Sequence, residues 1–434
     1  MHVNMGRLRR AIGPGVLYAG AAIGVSHLVQ ATRAGEQYGF ILLWAVLLAV
    51  VSKYAFHEFG PRYAAATGES LIDGYRRLGR WALGIYILVT VGTMFTIQAI
   101  VSLVTGGLLG NLAQTYLEFT LADDPGANSF YWTVAVLVAC WGMLLVGRYP
   151  TLDMMMKVIV AALSVCTIVA VITGAIAAEG EPLEAAVLDL TDLAAVGMVV
   201  ALMGWMPTPI DVSIWQSMWT LGRAEQTRYQ PTVREARIDF NIGYIGAAAL
   251  GVIFLSLGAI MLYGGEPLPD DSVAFSAALI ATYGEALGPA VVPFIAVAAF
   301  CAMFSTTLTV TDAYPRAWRR VVEVIAGDRL RRNHVGVYAA GLLVVCGGAL
   351  ALLAALLLGG QETLFHTMVD TATTLSFVTA PLLAFINYKV ITSPHTPAEA
   401  RPGRAMRQFC AVCLVVLVLM AAAYIAWFVL DHVG

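Results

Sequence analysis

The stretch GPGVLYAGAAIGVSHLVQATRAGEQYG, residues 13–39, decides the fold. It is long and apolar enough to cross a membrane, but Gly20 and Gly24 each weaken a helix interior by roughly 1 kcal/mol relative to alanine. Ser26 and His27 then place polar groups near the expected centre of the bilayer. A membrane segment with these features must face protein or a water-lined cavity. Such an interruption is typical of a transporter's central site. The alternative is a closely packed glycine helix with a core histidine.

The composition of the chain indicates an integral membrane protein. Hydrophobic residues make up 59% of its 434 residues and charged residues only 12%. The mean hydropathy is +0.78, whereas a soluble domain of this length needs far more charge. Apolar runs of about 20 residues recur from end to end and indicate transmembrane helices. We expect one all-α transmembrane domain over residues 1–434, with the lipid bilayer as its partner and no nucleic-acid surface.

The apolar runs define about eleven predicted spans. Arg and Lys cluster before the first span and after each even-numbered span, whereas Asp and Glu dominate the alternate loops. By the positive-inside rule, the N-terminus is predicted to be cytoplasmic and the C-terminus extracytoplasmic, in an inner (plasma) membrane. The predicted spans are residues 12–33, 40–62, 82–110, 130–147, 156–178, 194–220, 241–264, 287–313, 335–359, 364–390 and 407–430.

The sixth span repeats the interruption of the first. It reads AAVGMVVALMGWMPTPIDVSIWQSMW, with Pro207 and Pro209 in its middle. Each proline removes a backbone N–H and clashes with the preceding turn, so the helix must break or kink there. Interrupted helices five spans apart predict an inverted five-plus-five repeat, residues 12–178 and 194–390, with 407–430 as an additional helix. The alternative is a proline kink without a binding site.

Several segments resemble one known family. They are GPG at 13–15, RAGEQYGF at 33–40, LLWAVLLAVVSKYAFHEFGPRYAAATGES at 42–70 and AMFSTTLTVTDAY at 302–314. From residue 11 to about 390 the chain resembles the Nramp (natural resistance-associated macrophage protein) family of divalent-metal transporters. The resemblance implies a LeuT-type inverted repeat, with substrate held between the first and sixth spans.

The sequence departs from that family at the expected metal ligands. The family's Asp-Pro-Gly-Asn motif corresponds here to Gly24, Val25, Ser26 and His27. Its Met-Pro-His motif corresponds either to Met206, Pro207 and Thr208 or to Thr208, Pro209 and Ile210. The third span has no acidic residue, and the ninth has no arginine. We therefore expect a divergent branch whose transport is not tightly driven by protons.

Three ionisable residues in the spans are candidates for binding or coupling. Asp211 is the only acid in either broken helix and is expected to bind or couple an ion, or else to cap the second half-helix. His27 is expected to bind a metal or to titrate near physiological pH, or else to be a hydrogen-bonded core residue. Asp370 is a third coupling candidate, or else an acceptor that serves packing.

Other predicted substrate contacts are polar side chains or freed carbonyls near the breaks. They are Gly20, Gly24, Ser26, Trp205, Met206, Thr208, Ser213 and Gln98. The predicted metal ligands are His27, Asp211, Met206 and Thr208. The tenth-span residues Thr371, Thr373 and Thr374 are expected to line the path.

The sequence predicts a transporter of a small ion by alternating access, without a cofactor. The cargo most in keeping with the resemblance is a divalent cation, hard or partly hydrated as magnesium prefers. The alternative is a small anion or zwitterion, because half-helix N-termini favour carboxylates. Nothing in the sequence favours a sensor or scaffold, and no nucleophile–base pair favours an enzyme. No unique dimer face stands out.

Overall fold

The computed structural model describes residues 5–146, 149–177, 187–326, 334–357 and 365–433. These residues form helices joined by turns and short loops. Among them, eight helices are long and apolar enough to cross a membrane, by length and composition. Shorter apolar helices include Leu193–Trp205 and Ser272–Leu287. The total of eleven spans and the repeat boundaries remain predictions.

The helices are numbered here in chain order. The first part of the chain contains α1 (Met5–Ala11), α2 (Pro14–Ala22), a π-helix (Ser26–Ala31), α3 (Thr32–Tyr38), α4 (Leu43–Thr67), α5 (Leu71–Leu78), α6 (Arg80–Leu117), α7 (Pro125–Val146) and α8 (Tyr149–Ala177). The second part contains α9 (Leu193–Trp205), α10 (Val212–Thr227), α11 (Val233–Met261), α12 (Ser272–Leu287), α13 (Val292–Ala326), α14 (His334–Leu357), α15 (Phe365–Thr392) and α16 (Arg404–Val433).

The first predicted span is interrupted, as expected. Helix α2 ends at Ala22, and the Gly24 N–H turns back to the Ala22 carbonyl at 2.8 Å. The chain resumes at Ser26 as one stretch of π-helix before α3. A π-helix carries one more residue per hydrogen-bonded turn than an α-helix, and it commonly marks functional sites.

The sixth predicted span is interrupted at its prolines. Helix α9 ends at Trp205, Met206 is extended, and α10 begins at Val212. The Met206–Pro207 peptide bond is cis. Proline has no N–H to donate to the carbonyl four residues earlier, so Pro207 leaves the Met203 carbonyl without its helical partner.

Glycines bring the interrupted helices against their neighbours at backbone distance. A Cβ on Gly243 of α11 would lie 1.9 Å from the carbonyl oxygen of Gly15 in α2. A Cβ on Gly204 of α9 would lie 2.0 Å from the carbonyl oxygen of Thr373 in α15. In lipid, helices associate through such close packing of small residues. The Asp239 carboxylate of α11 also accepts from the Gly15 N–H at the start of α2, at 2.6 Å.

We predict that Gly204→Ala destabilises the protein by about 3 kcal/mol, because the new methyl would overlap the α15 backbone. Gly197→Ala is the matched control on the same helix, since a Cβ there meets nothing within 4 Å. The control is expected to be neutral or to gain up to about 1 kcal/mol from helix propensity. Thermal unfolding of both variants in detergent checks this, and equal midpoints would contradict the close approach of α9 and α15.

Candidate functional site

The two helix breaks meet through a hydroxyl pair. The Tyr18 hydroxyl of α2 lies 2.8 Å from Thr208 Oγ1 in the break between α9 and α10. Tyr18 and Thr208 are both buried. The interrupted segments therefore face each other inside the protein, as the sequence predicts for a central site.

A hydroxyl of helix α13 donates to a backbone carbonyl that the first break leaves without a helical donor. Because the Gly24 N–H bonds to Ala22, the Gly20 carbonyl lacks its usual helical donor. The Thr306 hydroxyl supplies one, at 3.0 Å. A Cβ on Gly24 would lie 2.8 Å from Thr306 Cγ2, so the missing side chain lets α13 approach. Gly20 and Gly24 thus contact α13 rather than open space.

A lysine from the second span reaches the sixth-span break. The Lys53 ammonium donates to the carbonyls of Met203 at 2.6 Å and Gly204 at 2.7 Å, and lies 3.3 Å from that of Thr208. Lys53 is 1% exposed. Taking an ammonium out of water costs several kcal/mol, whereas each charge-assisted hydrogen bond contributes about 1.5–3 kcal/mol. The negative end of the α9 dipole also favours a cation there.

Asp211 lies at the start of α10 and is buried, with 5% exposed. Within the described part of the chain its side chain makes no capping hydrogen bond to α10, although the backbone N–H groups of Asp211 and Val212 lie near the carboxylate. Capping and ion binding therefore both stay predictions for this residue. Its Oδ2 accepts from the Tyr314 hydroxyl of α13 at 3.5 Å, and its Oδ1 has no hydrogen-bond partner among the described residues. Lys53 is close enough to interact electrostatically with this carboxylate.

Asp211 borders a small cavity between α6, the sixth-span break and α15. About 10 Å³ of it is accessible to the centre of a water molecule, which is close to the minimum that holds one water. The polar side chains on its wall are Asp211, Thr93, Ser376 and Thr379. One carboxylate and three hydroxyls are oxygen donors of the kind that hard cations prefer.

His27 points in another direction. Its Nε2 donates to the Ala247 carbonyl of α11 at 2.8 Å, and its Nδ1 lies 2.8 Å from the Ser26 hydroxyl. Both ring nitrogens are therefore engaged within the protein, and the ring packs edge-on against Phe254. Met206 is on the same side, because a Cβ on Gly251 of α11 would lie 2.6 Å from its Sδ.

Three other predicted residues form hydrogen bonds with neighbouring helices. The Trp205 Nε1 donates to Ser376, and Ser213 accepts from Asn387, each at 2.8 Å. Gln98 on α6 donates to the Thr311 hydroxyl on α13 at 3.0 Å.

The remaining tenth-span residues are the predicted coupling acid and its neighbouring threonines. Asp370 forms a two-pronged ion pair with Arg33, at 2.9 and 3.3 Å, and its side chain is 36% exposed. Thr371 and Thr373 both donate to carbonyls of their own helix. Thr208 and Asp211 thus both belong to the sixth-span break, whereas the His27 ring bonds to α11 and Asp370 pairs with Arg33.

Four residues at the breaks are not among those that the sequence predicts for the site: Lys53, His57, Thr306 and Tyr314. An available signal was that Lys53 and His57 are ionisable residues inside a predicted span, and such residues are functional candidates by default. His57 lies one turn from Lys53 on α4 and packs edge-on against Tyr18, with ring centroids 5.5 Å apart. Thr306 and Tyr314 belong to a Ser/Thr-rich span whose hydroxyls are not distinguishable by sequence alone.

An all-helical membrane chain with two interrupted helices that meet at its centre is a multi-pass membrane transporter in architecture. Comparison of the sequence with family models supports this class and refines it. Residues 15–427 match the model of the natural resistance-associated macrophage protein-like family, and the chain belongs to this Nramp family. It is also 33% identical over 389 residues to the uncharacterized protein PM0681 of Pasteurella multocida (strain Pm70), covering 88% of this chain and 84% of that protein.

Solved transporter structures share the fold. A variant of the manganese transporter of Eremococcus coleocola superposes with a TM-score of 0.69 at 14% identity, covering 100% of this chain and 90% of that one. MhsT in complex with L-phenylalanine gives a TM-score of 0.58 at 14% identity, covering 94% and 98%. The nucleobase-cation-symport transporter Mhp1 gives 0.56 at 15% identity, covering 99% and 96%. The predicted LeuT-type fold is confirmed.

We predict that the Tyr18–Thr208 contact couples the two breaks by about 1 kcal/mol, the usual worth of one net hydrogen bond. A double-mutant cycle with Tyr18→Phe and Thr208→Val, followed by unfolding in mixed micelles, measures this coupling. The buried Tyr283–Thr167 pair, whose hydroxyls are 2.9 Å apart between α12 and α8, is the matched control. Substitution of the control pair should show similar coupling and leave transport intact, whereas substitution of Tyr18 and Thr208 should lower transport. If substitution of neither pair affects transport, a functional link between the breaks is contradicted.

Proposed function

We propose that this protein is a secondary transporter of a hard divalent cation, which it binds partly hydrated at Asp211 in a state where the cavity there is wider. The observation that carries the proposal is a buried carboxylate beside a cavity walled by Thr93, Ser376 and Thr379, with an Oδ1 that has no hydrogen-bond partner among the residues the structure describes. Membership of the Nramp family supports a metal cargo, as does the shared fold with a manganese transporter.

The available ligands favour a cation that keeps some of its water. The described residues contain no cluster of three or more His, Cys, Asp or Glu that would hold a metal. Mg²⁺ dehydrates reluctantly and is usually held by one or two carboxylates plus waters. Mn²⁺ also accepts carboxylate, carbonyl and water ligands. A site built from one carboxylate and hydroxyls therefore suits Mg²⁺ or Mn²⁺ better than a softer ion.

Ion pairs on either side of the site are consistent with alternating access. Arg33 on α3 pairs with Asp370 on α15, near the ends of the first and tenth spans that are predicted to be extracytoplasmic. At the opposite ends of the helices, Arg320 on α13 pairs with Asp73 on α5. We propose that these contacts open alternately, in an inner membrane with the N-terminus cytoplasmic, since separated charged pairs regain hydration when a pathway opens.

A small anion or zwitterion is the second candidate cargo. The observation that favours it is the Lys53 ammonium, a positive charge inside the break. A carboxylate would be attracted to that charge and to the N–H groups at the start of α10.

We predict that the protein in proteoliposomes takes up Mg²⁺ and Mn²⁺ in preference to Zn²⁺ and Cd²⁺, because oxygen ligands favour hard cations. Uptake is followed with metal-sensitive dyes enclosed in the vesicles, and empty vesicles serve as the control. If no divalent cation moves at millimolar concentration while a small anion or amino acid does, the cation proposal is replaced by the second candidate.

We predict that Asp211→Asn lowers divalent-cation uptake at least about tenfold, because the only charged ligand of the proposed site is lost. Asp123→Asn, in an exposed loop, is the charge-matched control and should retain uptake. Elution profiles and thermal midpoints establish that both variants are folded. Normal uptake by folded Asp211→Asn would exclude this carboxylate as the ligand.

A further inference from the structure

We propose that the Lys53 ammonium is a tethered cation that permanently fills a monovalent-cation site at the end of α9. Transport past Asp211 then needs no inorganic monovalent ion at this position. The transport part of this inference rests on the proposed function, whereas the occupancy part stands on the geometry alone.

The ammonium lies where a coordinated ion would lie. Its three carbonyl neighbours come from the last turn of α9 and from the break itself, at 2.6, 2.7 and 3.3 Å. Carbonyls of unwound backbone and of half-helix C-terminal ends are the groups that coordinate Na⁺ in other interrupted transporter helices. The nitrogen of Lys53 replaces such an ion, and the stem of the side chain anchors it to α4.

In the described part of the chain, no helical donor serves the carbonyls at the end of α9. Pro207 has no N–H to return to Met203, and the chain is extended at Met206, so no helical donor follows. Gly204 is held against the α15 backbone, which prevents the end of α9 from turning toward water. These carbonyls therefore need a cation or a donor from outside the helix, and Lys53 is the residue that supplies it.

Truncation of the lysine tests this assignment because it empties the site without blocking it. Lys53→Ala removes a three-carbon amine, so Na⁺ or n-propylammonium fits the vacated space. We expect uptake by this variant in choline buffer to fall about tenfold or more, and to recover when Na⁺ or n-propylammonium is added. Wild-type uptake should be the same in choline and in Na⁺.

Two further variants separate charge replacement from packing. Lys53→Met keeps the bulk but not the charge, so it should lose uptake and not recover with either cation. Lys389→Ala removes the exposed lysine at the end of α15 and should leave uptake and its cation dependence unchanged.

A cargo-free readout keeps the occupancy test independent of the proposed function. In detergent, Na⁺ or n-propylammonium should raise the thermal midpoint of Lys53→Ala but not of the wild-type protein or of Lys53→Met. If Lys53→Ala folds only with one of these cations present, the inference is supported. If it cannot be purified in either cation, transports normally in choline, or shows no cation-dependent midpoint, the inference is overturned.

A further outcome is that the wild-type protein takes up no divalent cation while Lys53→Ala still shows a cation-dependent thermal midpoint. That combination would refute the proposed cargo and support the assignment of Lys53 as a tethered cation. A wild-type requirement for Na⁺ would refute the transport part of the inference.

Discussion

The structure depends on one constraint, which is that a backbone carbonyl inside a membrane must find a donor. Pro207 removes the donor that α9 would have provided for Met203, and the lysine of another helix restores it. That contact joins α4 to the sixth-span break, and the same break joins α2 through the Tyr18–Thr208 hydroxyl pair. The break is therefore a fixed junction of three helices rather than a loose loop.

At both breaks a side chain from another helix donates to freed backbone carbonyls, but the donor groups differ. At the first, a neutral hydroxyl from Thr306 satisfies the Gly20 carbonyl. At the second, an ammonium satisfies two carbonyls of α9 at once. This difference gives the centre of the protein an electrostatic polarity that inverted-repeat symmetry alone would not produce. Asp211 supplies an opposite charge within electrostatic range of Lys53, and this attraction offsets part of the cost of burying the two charges.

The sequence predicts the interruptions well because their causes are local. Gly24 weakens the first helix, and Pro207 deletes a specific hydrogen bond in the sixth, whatever surrounds them. The partners of the freed groups are not local, since Lys53 is 150 residues away from Met203 in the chain. The direction of His27 was also beyond sequence reasoning, because the π-helix shifts the angular positions of its residues and turns the ring toward α11.

The charges at the second break constrain which cation fits beside them. At an effective dielectric of about 20, two unit charges about 4 Å apart interact by roughly 4 kcal/mol, and a dication doubles that figure. A bare dication next to Lys53 would face this repulsion while Asp211 offers a single compensating charge. Because the repulsion falls with distance, a cation that keeps a water layer between itself and the ammonium is repelled less while it stays bound to Asp211. The fixed lysine therefore favours a hydrated hard cation over a bare soft one. Its positive charge, which satisfies the carbonyls at the end of α9, is also what repels a bare dication.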